Sequence, residues 1–120
     1  MQIKSMDPMT LKKRLDEGSV ILIDVRERHE HAREHIESTK LVPLSRFQAE
    51  NFAGLQDKTA VFHCHSGGRT SANAKLLTSK GFVDTYHLGG GIVAWKAAGL
   101  PTRSQQRPAG EGRRKLFGVF

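Results

Sequence analysis

Thr59-Ala60-Val61-Phe62-His63-Cys64-His65-Ser66-Gly67-Gly68-Arg69-Thr70 runs from a continuous apolar stretch into a polar loop interrupted by two glycines. The first part reads as a strand ending at Cys64, because short apolar runs rich in β-branched and aromatic residues fill buried strands. Ser66-Gly67-Gly68 breaks it, and a helix is predicted from about Arg69 to Lys80, closed by Gly81. Cys64 therefore sits at the carboxyl end of a strand, where ligands collect in parallel α/β sheets. Gly67 and Gly68 permit backbone conformations that let successive N–H groups point inward at one anion. The positive helix start and the Arg69 guanidinium would add to that field, favouring thiolate over thiol at Cys64. The plainer reading, a small buried hydrophobe, explains neither the paired glycines nor the arginine.

Outward from this stretch, strands and helices alternate, the pattern of a parallel sheet with helices on its faces. Asp7-Pro8 reads as an N-cap followed by proline at the first helical position, Leu11 and Leu15 lie four apart, and Gly18 ends that helix. Val20-Ile21-Leu22-Ile23 is a second buried strand, with Asp24-Val25-Arg26 at its end. A short helix is expected near Glu30 to Glu34, and Leu41-Val42-Pro43-Leu44 reads as a short strand whose proline favours its end or an edge. Ser45 is a candidate cap for a helix through Phe47 and Phe52. Tyr86-His87-Leu88 reads as a last strand, and Gly89-Gly90-Gly91 turns the chain into a helix carrying Trp95 and ended by Gly99-Leu100-Pro101. The expected fold class is α/β, with a domain over residues 1–102 and a basic linker or disordered tail over 103–120.

The 120-residue length suits one domain with a real core, and a single cysteine excludes an internal disulfide or a multi-cysteine zinc site. The net charge of +7 would suggest nucleic acid, but Arg103, Arg107, Arg113, Arg114 and Lys115 against Glu111 place most of it in the tail. The body is not that of a nucleic-acid binder. No apolar run approaches the roughly 18 residues of a membrane span, and the first residues lack the pattern of a secretory signal, so the expectation is a cytoplasmic protein. Arg113-Arg114-Lys115 before Leu116-Phe117-Gly118-Val119-Phe120 fits either contact with a membrane surface or an unstructured end.

Counting across the loop separates two chemistries. Cysteine phosphatases place five residues between cysteine and arginine, whereas four separate Cys64 from Arg69. That leaves room for a sulfur atom more readily than for a phosphoryl group. The six residues Cys64 to Arg69 resemble the active loop of the single-domain rhodanese family, and the likeness extends over residues 5–101. Asp24-Val25-Arg26 resembles the family's D-x-R, Glu30 with His35-Ile36 its E…G-H-I segment, and Leu88-Gly89-Gly90-Gly91-Ile92-Val93-Ala94-Trp95 its L-x-G-G-x-x-x-W. Glu34 stands where the family usually has glycine. The resemblance implies a doubly wound, mainly parallel five-stranded sheet flanked by helices. It also implies sulfane-sulfur transfer from a donor such as thiosulfate to cyanide or a thiol, through a Cys64 persulfide. No cofactor or metal is expected. His65, Ser66, Gly67, Gly68, Arg69 and Thr70 would form the substrate-binding loop. A persulfide carrier or regulatory module with little turnover is the alternative, and a cysteine phosphatase or arsenate reductase is disfavoured by loop length.

Other motifs have plainer accounts. Arg69 either contacts the anionic donor or forms a salt bridge that shapes the loop. His65 is either a hydrogen-bond donor to substrate or an exposed loop residue, and Thr70 and Ser71 are expected to cap the helix. Asp24 and Arg26 read as a structural ion pair. His29, His31 and His35 fail the H-E-x-x-H zinc pattern and read as part of a solvated segment, while Gly89-Gly90-Gly91 lacks the spacing of a dinucleotide loop. Trp95 is expected in the core or at the site's rim.

Overall fold

The structure, a computed structural model, describes residues 2–105. Five parallel strands form one sheet: β1 (Lys4–Met6), β2 (Val20–Asp24), β3 (Lys40–Leu41), β4 (Thr59–His63) and β5 (Asp84–Leu88), in the order β1-β5-β4-β2-β3. Helices α1 (Pro8–Glu17), α2 (Arg28–Arg33), α3 (Leu44–Phe47), α4 (Gly68–Ala72), α5 (Ala74–Leu77) and α6 (Gly91–Ala97) fill the connections, with a 3-10 turn at Thr78–Lys80. The α/β expectation holds. β1 was not legible as a strand: it is a three-residue edge strand paired only with β5, and its Lys-Ser-Met sequence has no apolar run.

Alternation along the central strands sends side chains to two cores. Leu22 and Val61 join Leu11 of α1 and Ile92 and Trp95 of α6 on one face. Ile23, Ala60, Phe62 and Cys64 join Phe47 of α3 and Leu77 of α5 on the other. Cys64 thus continues the period-2 pattern of β4 one residue beyond its end. Trp95 is buried, as expected, and its Nε1 donates to Pro101 O at 2.8 Å.

α1 starts and stops as predicted, with Asp7 accepting from the Met9 and Thr10 N–H groups and Gly18 in the left-handed conformation. Three other expectations need correction. Pro43, not Ser45, precedes α3, which ends at Phe47; the Ser45 hydroxyl instead donates to Glu27 Oε1. The strand expected over Leu41–Leu44 is only Lys40–Leu41, ending before the proline that lacks a ladder N–H. The single helix expected from Arg69 to Lys80 is broken at Asn73, whose side-chain amide donates to Arg69 O at 2.8 Å and competes with the helical ladder.

Glu34 is extended (φ −164°), a conformation open to any residue, so the turn does not require glycine there. Its carboxylate accepts from Lys96 Nζ and the Thr102 hydroxyl. The first residues of the tail are tied to the domain: His35 and Arg103 exchange backbone hydrogen bonds of 2.8 and 2.7 Å, and Gln105 N donates to Ala32 O. The basic cluster and apolar end at 113–120 lie outside the described residues.

Candidate active site

From β2 the chain moves to β3 on one side of the sheet, and from β4 to β5 on the other. The crevice between the carboxyl ends of β2 and β4 is where such sheets bind ligands, and Cys64 lies there. Gly67, at φ 100°, reverses the chain after Ser66, and its N–H donates to Cys64 Sγ at 3.1 Å. A Cβ on Gly67 would also touch the backbone of Gly90. Gly68 needs no such freedom: it opens α4 in open space, which corrects the expectation of two permissive glycines.

A third glycine supports the loop from outside. Gly91, at φ 61°, starts α6 directly beneath Cys64 and His65, and a Cβ there would lie 2.6 Å from Cys64 O and against His65 O. The next two N–H groups use that proximity: Ile92 N donates to Cys64 O and Val93 N to His65 O, both at 3.1 Å. With these two carbonyls held by α6, the loop's own N–H groups are left to face the sulfur. Sequence reasoning read Gly91 only as part of a turn, because this contact joins segments far apart in the chain.

Burial pushes the Cys64 thiol up, but the N–H groups of Thr70 and Gly67, the Thr70 hydroxyl and the Arg69 N–H together hold it below its ordinary value. The hydroxyl lies 3.8 Å from Sγ and donates to Gly67 O at 3.1 Å, so Thr70 serves the cradle and is not a side-chain cap. α4 has only five residues, which makes the loop amides, rather than a long helix dipole, the main stabilisers. Cys64 is 1% exposed.

Arg69 forms a bidentate pair with Glu30 at 2.8 and 2.9 Å, locking the loop to α2. Its hydrogen bonds, set against partial burial, hold the Glu30 carboxyl at about 2. Of the two readings of Arg69, the loop-shaping salt bridge is therefore present. Both side chains also line a cleft of about 380 Å³ beside the loop, with Arg26, Arg33, Glu34, His65, Ile92, Val93 and Lys96. His65 and Ser66 are exposed, and His65 faces this cleft.

Behind the loop, Asp24 and Arg26 form a buried pair with three side-chain contacts of 2.8–3.2 Å. Asp24 also accepts from the Arg26 N–H and contacts His31 Nδ1 at 3.0 Å. His35 Nδ1 meets His31 O at 2.8 Å, and the two rings stack 4.2 Å apart. His63 points away from the sulfur, with Nδ1 3.2 Å from Cys64 O.

Residues 7–98 match the Rhodanese-like domain family. The chain belongs to that family. An uncharacterized protein of Synechocystis sp. is 41% identical over 95 residues, covering 79% of this chain and 53% of the relative, so the chain spans about half of that protein. A sulfurtransferase of Allochromatium vinosum is 30% identical over 100 residues, covering 82% of this chain and 94% of the relative. The crystal structure of the Alr3790 protein of Anabaena sp. aligns with a TM-score of 0.73 at 30% identity, covering 82% of this chain and 80% of that one. No helix among the described residues is long and apolar enough to cross a membrane.

Proposed function

We propose that the protein is a sulfurtransferase that carries sulfane sulfur on Cys64 as a persulfide, taking it from a small donor such as thiosulfate and passing it to a thiol or cyanide. The observation that carries this reading is the cradle itself: Cys64 Sγ receives the Gly67 N–H at 3.1 Å inside a loop of six residues. The thiolate attacks the outer sulfur of thiosulfate, the sulfur–sulfur bond breaks, and sulfite leaves with the electron pair. The acceptor then attacks the outer sulfur of the persulfide, forming its own bond to sulfur and returning the thiolate. The first step shifts the charge of the cradled anion from Sγ to the outer sulfur of the persulfide and the second returns it to Sγ, so an anionic sulfur stays among the loop N–H groups throughout and electrostatic preorganisation supplies the catalysis without a general base.

The cleft beside His65 and Arg69, walled by Arg26, Arg33 and Lys96, supports this reading as a place for an anionic donor to dock next to the loop. Its volume exceeds what thiosulfate fills, which also favours a second reading in which a bulkier persulfide, presented by a protein, loads a slow carrier. Incubation with thiosulfate should add the mass of one sulfur atom to the intact protein, and cyanide should then release it as thiocyanate. Cys64→Ser should show neither. An unchanged mass for the native protein across thiosulfate and low-molecular-weight persulfides would falsify the small-donor reading.

A further inference from the structure

His87 lies on β5 between Tyr86 and Leu88, whose side chains enter the core shared with α1 and α6, so its own side chain faces the opposite layer, where α4 packs. It is buried, and its Nδ1 is 2.7 Å from Thr70 Oγ1. The same oxygen is 3.1 Å from Gly67 O and 3.8 Å from Cys64 Sγ. Three neighbours therefore converge on a hydroxyl that has one proton and two lone pairs. Gly67 O can only accept. A thiolate or persulfide anion can only accept as well. The imidazole is the one neighbour able to donate, and it does so only when its single neutral-state proton sits on Nδ1. Burial pushes His87 below the ordinary histidine value, so the ring is neutral near pH 7 and the choice of tautomer matters.

We propose that His87 is a positioning residue for the reactive sulfur: its Nδ1–H donates to Thr70 Oγ1, leaving the Thr70 proton to swing from Gly67 O toward the sulfur on Cys64 as negative charge builds there. In the opposite tautomer the Thr70 proton would be held by the imidazole, and the hydroxyl would present only lone pairs to the anion. The persulfide half of this proposal rests on the sulfurtransferase reading, whereas the resting-thiolate half does not.

The test uses asparagine and glutamine at position 87, because the Asn amide nitrogen overlays Nδ1 while the Gln amide reaches toward Nε2. Alkylation of Cys64 by iodoacetamide, followed by intact mass across pH, reads the thiolate directly and needs no sulfur donor. His87→Gln should move the midpoint upward and slow alkylation at pH 7 about fivefold, the size of one hydrogen bond of about 1 kcal/mol. His87→Asn should stay within about twofold of the native protein. Thr70→Val should match His87→Gln, and the double variant should be no slower than Thr70→Val alone. Long-range proton–nitrogen NMR of the native protein should show the Nδ1–H tautomer. An Nε2–H tautomer, equal effects of Asn and Gln, or additive effects in the double variant would overturn the proposal. Failure of thiosulfate to load sulfur with these alkylation results intact would instead count against the small-donor reading alone.

Discussion

Replacing Asp24 by asparagine removes one charge and almost no volume from the most enclosed polar cluster of the domain. Asp24 is fully buried, and Arg26, beside it, is 3% exposed. Burial alone would push the Asp24 carboxyl up; the Arg26 hydrogen bonds, the charge attributed to His63 and the His31 hydrogen bond reverse this and hold it at about 2, from an ordinary 3.8. His63 is itself pushed down by burial and so is neutral near pH 7, which leaves Arg26 and His31 as the main partners. With His63 neutral its share drops out, so the displacement corresponds to at most about 2.5 kcal/mol of native-state stabilisation. Leaving a buried guanidinium without its counter-charge costs about 3–5 kcal/mol. The lower end applies here, since Arg26 Nη2 keeps Glu34 O at 2.7 Å as a partner. Asp24→Asn should therefore cost about 3 kcal/mol, read as a loss of about 2 M in the urea midpoint at unchanged slope. Because the folded-state value lies below the unfolded one, the contribution is present above 3.8 and drains away as pH falls toward 2. The variant should accordingly lose that acid limb. Adding Arg26→Met should restore about half the stability by removing the stranded charge. A loss under about 1 kcal/mol, or a further loss on adding Arg26→Met, would refute the view that this pair is structural.

Gly91→Ala places a Cβ against Cys64 O and His65 O at a left-handed backbone position, and should cost about 2–4 kcal/mol by chemical denaturation while slowing Cys64 alkylation. Glu30→Gln leaves Arg69 without its carboxylate; both groups are partly exposed, so the stability change at pH 7 should stay below about 1 kcal/mol. The Glu30 contribution, present above 4.5 and lost as pH falls toward 2, should be missing from the acid denaturation curve of that variant. Ending the chain at Thr102 removes the paired backbone bonds between His35 and Arg103, and should lower the unfolding free energy by about 1–2 kcal/mol; an unchanged denaturant midpoint would place the end of the folded unit before residue 103.

What could be read from the chain follows from how local each signal is. β2 and β4 are covered on both faces, so their apolar runs are continuous and stand out in Val20–Ile23 and Thr59–Phe62. β1 has an outer edge and two exposed residues among three, and its strand character comes from pairing with β5 across most of the chain's length. The same contrast divides the site. Cys64, Gly67, Arg69 and Thr70 lie close together in the sequence, at the turn from β4 into α4, and announce a thiolate cradle by composition, yet the groups that give several of them their roles come from elsewhere. Glu30 on α2 fixes Arg69, Gly91 on α6 lets two N–H groups turn the loop carbonyls away, and His87 on β5 meets the Thr70 hydroxyl.

Those distant partners share a consequence for how the loop keeps its shape. Its six residues contain one left-handed glycine and no regular structure until α4, so local preference alone cannot keep the loop N–H groups and the Thr70 hydroxyl gathered around one sulfur. Contacts from α2, α6 and β5 act on the arginine, the carbonyls and the hydroxyl separately, each restricting a different part of the loop. Loss of Glu30 alone would then loosen the cleft wall at Arg69 while Ile92 and Val93 continue to hold the Cys64 and His65 carbonyls. Loss of Gly91 instead displaces the Cys64 and His65 carbonyls next to the sulfur. The two variants should for that reason diverge: Gly91→Ala in thiolate reactivity, and Glu30→Gln chiefly in the salt and acid dependence of stability.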